Sequence, residues 1–229
     1  MPLLRAEFVH RRPRLESVLK HDVSQVLYLP FDRDDGSYAR DRSGYVNHGT
    51  IYGATRVAGK IGAGLSFDGV DDYVNVSDSD SLDLTTAITL SLWINPNSSA
   101  VWKRILDKES AAVPDVYMLC FADSAGKLRA RIAGGALDSI GSVPFGSWSH
   151  VAVTFDYDAD HIIRLYINGV EDNSLDWPSL MQTNVQDLLI GQYTGGSGYN
   201  FDGLKDEVRI FNRALSAAEI QRVMNMRGI

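Results

Sequence analysis

One stretch fixes the structural period of this chain. In Ile88-Thr89-Leu90-Ser91-Leu92-Trp93-Ile94 the aliphatic side chains fall on every second residue, so Ile88, Leu90, Leu92 and Ile94 share one face and Thr89, Ser91 and Trp93 the other. A period of two belongs to a strand with one face on a core. Comparable short runs recur between turn residues: Val26 to Leu29, Gly64 to Phe67, Tyr73 to Val76, Arg104 to Leu106, Val116 to Ala122 and Leu128 to Ile132. They continue through Trp148 to Phe155, Ile162 to Ile167, Leu188 to Ile190 and Phe201 to Phe211. About a dozen strands with no long helix between them predict two packed antiparallel sheets, an all-β sandwich. Trp93 and Trp148 are expected inside its core.

Turn chemistry agrees. Asn168-Gly169 directly follows the run Ile162 to Ile167, and Asn-Gly is the strongest short hairpin signal. Ser216-Ala217-Ala218-Glu219 has the form of a capping box, which predicts one short C-terminal helix running towards Met226.

At 229 residues the chain is long enough for one sizeable core. Residues 1 to 24 differ from the rest. They are charged, contain Pro13 and the basic cluster Arg11, Arg12 and Arg14, and include a helix-compatible stretch from Leu15 to Lys20. We read 1–24 as a linker or docking segment, with a partner protein or self-association as its possible use, and 25–229 as the domain. A net charge of −7 argues against a nucleic-acid surface, which needs a concentrated basic face. No apolar run approaches the ~18 residues of a membrane span, and Arg5, Glu7, His10 and Arg11 interrupt any signal-peptide core. The single cysteine, Cys120, lies in the apolar run Tyr117 to Phe121 and reads as a buried small hydrophobe.

Five segments in order carry a resemblance. They are Asp41 to Thr50 (DRSGYVNHGT), Leu65 to Val74 (LSFDGVDDYV), Gly146 to Phe155 (GSWSHVAVTF), the Asn168-Gly169 hairpin, and Phe201 to Ser216 (FDGLKDEVRIFNRALS). Together they resemble the laminin-G-like, pentraxin-like jelly roll of concanavalin A-like lectins and glucanases, over roughly residues 25 to 225. The resemblance implies two stacked antiparallel sheets. It also implies a carbohydrate-binding or adhesive module, often with a structural calcium ion, acting outside the cell or on a cell or virion surface.

A calcium ion takes six to eight oxygen ligands. Asp32 follows the first strand, Asp41 and Asn47 lie in the next loop, and Asp206 sits inside the last long strand. The first and last strands of a jelly roll are neighbours, and the family uses an early acidic loop with the Asp of the final Gly-x-x-Asp-Glu element. Asp32, Asp41, Asn47, the Thr50 carbonyl and Asp206 are therefore the expected ligands, against the alternative that the Asx residues cap turns. Asp68, Asp71 and Asp72 read as a turn whose carboxylates satisfy loop backbone, with metal binding second. Asp156, Asp158 and Asp160 imitate the start of an EF-hand loop, but the sixth position lacks Gly and the twelfth is Ile167, so they read as a solvated hairpin loop.

No catalytic residues are expected. The Glu-x-Asp-x-x-Glu strand that resembles β-glucanases is absent, as is the Arg-x-Glu-x-Arg, Gln-x-His and Tyr-x-Lys-x-Tyr set of a jelly-roll alginate lyase. His150, in a Trp-x-His-Val strand, reads as a buried, hydrogen-bonded imidazole. A sugar surface needs aromatic platforms and planar hydrogen-bonding groups. Trp102, Trp177, Tyr193, Tyr199 and Asn200 are the candidates. The expected function is a non-catalytic carbohydrate-binding or adhesion module for a polysaccharide or glycan. The alternatives are a polysaccharide lyase or hydrolase on the same fold, or a viral or cell-surface assembly protein.

Overall fold

A computed structural model describes residues 22–109, 116–193, 195 and 198–226. The basic cluster at Arg11 to Arg14, the stretch Leu15 to Lys20 and all of the proposed docking segment up to residue 21 lie outside the described residues.

Two eight-stranded antiparallel sheets face one another. The first runs in the order β14 (Val170–Asp176), β13 (Ile162–Ile167), β12 (Ser149–Asp156), β7 (Ala87–Pro96), β16 (Asp202–Phe211), β5 (Ala63–Asp68) and β4 (Thr55–Ala58), and β1 (Gln25–Leu29) also pairs with β16. The second runs β11 (Gly135–Ser142), β10 (Lys127–Ile132), β9 (Tyr117–Phe121), β8 (Arg104–Asp107), β15 (Leu188–Ile190), β6 (Tyr73–Val76), β3 (Gly49–Tyr52) and β2 (Tyr38–Ala39). This is the two-sheet jelly roll expected, with first and last strands as neighbours.

The alternation in β7 does what its period predicts. Ile88, Leu90, Leu92 and Ile94 are buried between the sheets with Leu119, Phe121, Val151 and Val153. Trp93 is also buried, but on the outer face of the first sheet, against the His150 ring. Trp148 precedes β12 and is only half-buried, so neither tryptophan fills the inter-sheet core. Asn168 and Gly169 both take positive φ, 52° and 76°, the combination a tight β13–β14 hairpin needs. The helix α1 (Ala217–Asn225) opens with the predicted capping box. It lays Ile220 and Val223 on Ala152, Tyr166 and Phe211, roofing the outer face of the first sheet.

One irregularity in β16 gathers charged groups on the outer face of the first sheet, where Asp206 and Arg209 pair with Trp93 and Ser91. Along a single edge, residues Asp202 to Lys205 pair with β5 and residues Val208 to Phe211 pair with β1. Between them the register on the opposite edge also shifts, and Glu207 takes φ 56°. A bulge with a non-glycine residue in the left-handed region is a costly local conformation, and it turns two carboxylates into the gap.

Candidate functional site

Asp206 and Glu207 occupy that gap, and both are fully buried. Asp206 accepts hydrogen bonds from the Ile61 amide at 2.8 Å and the Glu207 amide at 2.7 Å. Asp32 accepts from the Ala63 amide at 3.1 Å, so both aspartates converge on the turn between β4 and β5. Glycines make that approach possible. A Cβ on Gly59 would lie 2.6 Å from the Asp206 carboxylate, and one on Gly62 would lie 2.1 Å from that of Asp32. Burial pushes the Asp206 carboxyl up to about 7, reinforced by the charges of Glu207 and Asp32 and opposed by its two amide hydrogen bonds. Glu207 is raised for the same leading reason, and it is held by the Tyr28 hydroxyl at 3.1 Å and the Arg209 guanidinium. Glu207 is thus matched by the Arg209 guanidinium, while Asp206 and Asp32 are held by amides of the same β4–β5 turn.

The other expected ligands do not join them. Asp41 already receives the amides of Tyr28, Ser43 and Asn47 and the Ser43 hydroxyl, at 2.6–2.9 Å. The Asn47 side chain donates to the Val26 carbonyl and Ser81 and accepts from Ser79. Thr50 pairs within β3 of the other sheet, between Tyr38 and Asn75. These are turn and strand fasteners, the alternative use of Asx chemistry. Glu207 is a buried carboxylate that sequence reasoning passed over, although it adjoins Asp206. Its alternation would have turned it away from Asp206, and only the bulge brings both carboxylates to one place.

The remaining acidic groups act locally. Asp68, Asp71 and Asp72 bring carboxylate oxygens within 4.8 Å of one another. Asp68 nevertheless caps the amides of Val70 and Asp71, and Asp72 accepts from the Asp68 amide. Asp156 caps Asp158 and Ala159, while Asp160 pairs with Arg164 at 2.6 Å, as a solvated hairpin loop requires. His150 is buried with Nε2 3.0 Å from the Ser91 hydroxyl, and burial followed by the Arg209 charge lowers its pKa to about 3. Such an imidazole is a neutral packing group. Cys120 is buried too, and burial pushes its thiol up to about 12.

Three of the five expected sugar contacts meet on the outer face of the second sheet. Arg104 lies 5.6 Å from the Trp102 ring centre and 4.8 Å from that of Tyr193. Arg129 lies 4.8 Å from Trp102 on its other side, and Tyr193 meets Tyr199 edge-on at 5.9 Å. The backbone fixes this cluster, since the Arg104 amide donates to the Tyr199 carbonyl at 2.7 Å and Trp102 takes φ 71°. The guanidiniums are held in turn by Asp107 at 2.9 Å and by Asp138 through two hydrogen bonds at 2.5 and 2.7 Å. Flat rings interleaved with planar, oriented donors and acceptors match the C–H faces and hydroxyls of a sugar.

Trp177 and Asn200 stand apart. The Trp177 indole donates to the Ala133 carbonyl at 2.9 Å and its ring covers Gly135, at the opposite end of β10 from Trp102. Asn200 is buried and fastens the Val70 carbonyl. Sequence reasoning did not single out Arg104 and Arg129, which the structure places against these rings and which alternate with Ile105, Leu128 and Ala130.

A family model described as the concanavalin A-like lectin/glucanases superfamily, of the laminin-G type, matches residues 68–221. The chain belongs to this superfamily. No curated protein matches it. Among solved structures, this laminin-G-like domain is similar to domain 4 of AbnA, an extracellular GH43 arabinanase from Geobacillus stearothermophilus, solved with arabinotriose. The TM-score is 0.69 at 22% identity, covering 88% of this chain and 98% of that one. It is also similar to the binding domain of Paraclostridial Mosquitocidal Protein 1, with a TM-score of 0.67 at 18% identity. The ligand-binding domain of botulinum neurotoxin serotype D, in complex with N-acetylneuraminic acid, gives 0.67 at 17% identity. The chain covers 52% and 50% of those two toxin domains, with 88% of its own length. At these identities the likeness is one of fold.

Proposed function

We propose that this laminin-G-like domain is a non-catalytic carbohydrate-binding module acting outside the cell or at a surface, with the Trp102, Arg104, Arg129, Tyr193 and Tyr199 cluster as its glycan contact. The observation that carries the reading is the interleaving of the exposed Tyr199 and the half-buried Trp102, Tyr193 and Arg129 with the ion-paired, buried Arg104. The solved relatives, which include an arabinanase domain with arabinotriose and toxin binding domains, agree with it. Affinity gel electrophoresis against a panel of soluble polysaccharides tests it. One or more polymers should retard the domain, Trp102→Ala should weaken that retardation at least tenfold in affinity, about 1.4 kcal/mol, and no reducing ends should be released. Retardation indifferent to Trp102→Ala would remove the cluster from the site.

A calcium ion between Asp32 and Asp206 is the second part of the proposal, favoured by the approach of both carboxylates to the β4–β5 turn and by the burial of Asp206. The ion would supply positive charge that ties the β4–β5 turn to the β16 bulge. Saturating calcium should stabilise the domain, by about 4 kcal/mol at a thousand times the dissociation constant. Asp206→Ala should abolish that gain in thermal unfolding against EDTA. Asp41→Ala should destabilise the fold yet keep the full calcium response, because Asp41 serves a turn. A calcium response lost in Asp41→Ala and kept in Asp206→Ala would reverse the assignment.

A further inference from the structure

At one end of the second sheet a lysine stands in a shell of oxygens. The ends of β6 and β8 and the start of β15 meet there, and Lys108, the residue after β8, is fully buried. Its ammonium donates to Asp78 Oδ1 at 2.5 Å and to the Gln186 carbonyl at 2.9 Å. Asn184 Oδ1 lies 3.5 Å from it, and Asp83 Oδ1, which is buried with no hydrogen-bond partner, lies 3.4 Å away. Backbone bonds hold several of these groups independently of the amine. The Asn184 amide group donates to the Lys108 carbonyl at 2.8 Å and its Oδ1 accepts from the Gln186 amide at 3.0 Å, while the Asp78 amide donates to Asp187 at 3.0 Å. Oxygens from the β6–β7 and β14–β15 loops thus surround one charged nitrogen.

We infer that Asp78, Asp83, Asn184 and the Gln186 carbonyl form a hard-cation site whose occupant is the chain's own ammonium, and that without the Lys108 side chain the same oxygens take a calcium ion. Two carboxylates, a carboxamide oxygen and a backbone carbonyl are calcium's ligand types, and water ordinarily completes its shell. The two farther oxygens need to close by about 1 Å to reach a calcium–oxygen distance of ~2.4 Å, a movement within one loop each. Charge points the same way. Two carboxylates face one ammonium, and among the described residues no second cation pairs with either of them. A divalent ion would match that charge, whereas the tethered ammonium leaves it half-matched but cannot dissociate. This end of the domain therefore keeps its cation in the absence of free calcium, in contrast to an ion between Asp32 and Asp206, which would exchange. The inference depends neither on that ion nor on glycan binding.

The test is made in the Asp206→Ala chain, so that calcium at the β4–β5 turn does not enter the result. Thermal unfolding compares that chain with its Lys108→Ala derivative in EDTA, in millimolar calcium chloride, and in sodium chloride of equal ionic strength. In EDTA the Lys108→Ala derivative should unfold about 10 °C lower, because one partner of a buried pair is gone. Calcium should return at least half of that fall, sodium should not, and calorimetry should count one calcium more per chain than in the background. Adding Asp83→Asn should abolish the gain. If the Lys108→Ala derivative does not fold in EDTA, recovery of folded protein on adding calcium is the same result, and Lys108→Met, which keeps most of the stem, serves for the melts. With Lys108 in place, hydrogen exchange at the Asp78 and Gln186 amides should be the same in EDTA and in calcium. No added calcium in the Lys108 variants, a rescue that sodium reproduces, or calcium-slowed exchange with Lys108 present would each overturn the inference.

Discussion

The sandwich has two outer faces built from the same alternating strands, and they are treated in opposite ways. On the first sheet, α1 covers part of the face and several polar groups of its strands are paired, although Trp93 Nε1 and His150 Nδ1 are buried with no hydrogen-bond partner. The Thr89 hydroxyl donates to the Arg213 carbonyl at 2.7 Å and accepts from the Leu215 amide at 2.9 Å, while Ser91 meets His150. On the second sheet the guanidiniums are paired but lie beside rings that face solvent, with Tyr52 and Tyr199 exposed. The contrast is one of cover, a helix over part of the first face against partly exposed rings on the second, and on the proposed function it is a division between holding the fold and recognition.

Breaking the roof is the largest test of that division. Ile220 is fully buried in the cluster of Phe211, Leu215, Tyr166 and Val223. Ile220→Asp would place a carboxylate there without a partner and should cost about 4 kcal/mol in urea unfolding. Glycan affinity of the fraction still folded should not change. A loss of affinity at full folding would mean that the faces are coupled.

Acid probes the sealed face next. Folded His150 has its pKa lowered to about 3 from the ordinary 6.5, so below 6.5 the unfolded chain takes up a proton that the folded one refuses. The stability this group contributes is complete above pH 6.5 and is lost as pH falls from there towards 3. Between pH 6.5 and 4.5 that loss is about 2 kcal/mol. His150→Asn should flatten the pH dependence of stability by that amount relative to the parent. Parallel profiles would mean that the folded protein admits the proton, and with it water, beneath Trp93.

Much of the fold was legible because burial on one side writes a period of two into the sequence. Strands β6, β13 and β15 match their sequence runs residue for residue, and the Asn168-Gly169 hairpin and Ser216 cap follow from local chemistry alone. The strands that escaped notice are β2, β3 and β4, which are short, β14, which is mostly exposed or half-buried, and β11, which mixes Gly135, Asp138, Ser139, Gly141 and Ser142 into its pattern. They are placed by the neighbours they pair with rather than by their own pattern. Lys205 is the sharpest illegible case, since it lies fully buried with its amine 3.9 Å from the Phe201 ring centre and 4.5 Å from that of Phe67. At the acidic positions, the approach of Asp32 and Asp206 to one turn was inferable from the β1–β16 join, whereas the hydrogen bonds that hold Asp41 and Asn47 come from loop amides, hydroxyls and carbonyls that no spacing rule reveals. The stacking of Tyr52 on Tyr73 across β3 and β6 needed cross-strand register, which no local window contains.

The smallest test sharpens the comparison at the end of the roof. The Ser216 hydroxyl donates to Glu219 at 2.9 Å and the Glu219 carboxylate accepts the Ser216 amide at 2.9 Å. The same carboxylate pairs with Arg213 at 3.0 Å, which with those amide and hydroxyl hydrogen bonds lowers its pKa to about 2. Arg213 reaches on to Ser24 and Asp22 ahead of β1, so the cap also ties the helix to the entry of the domain. Ser216→Ala removes one capping acceptor and should cost about 1 kcal/mol, a fall of about 3 °C in the unfolding midpoint for a domain of this size. Ser216→Asp, which restores an acceptor at the same position, should recover most of it. Because the cap lies on the sealed side, neither change should alter glycan affinity. If Ser216→Ala weakened binding as much as it lowered the midpoint, the open face would depend on the roof and the two faces would be one cooperative unit.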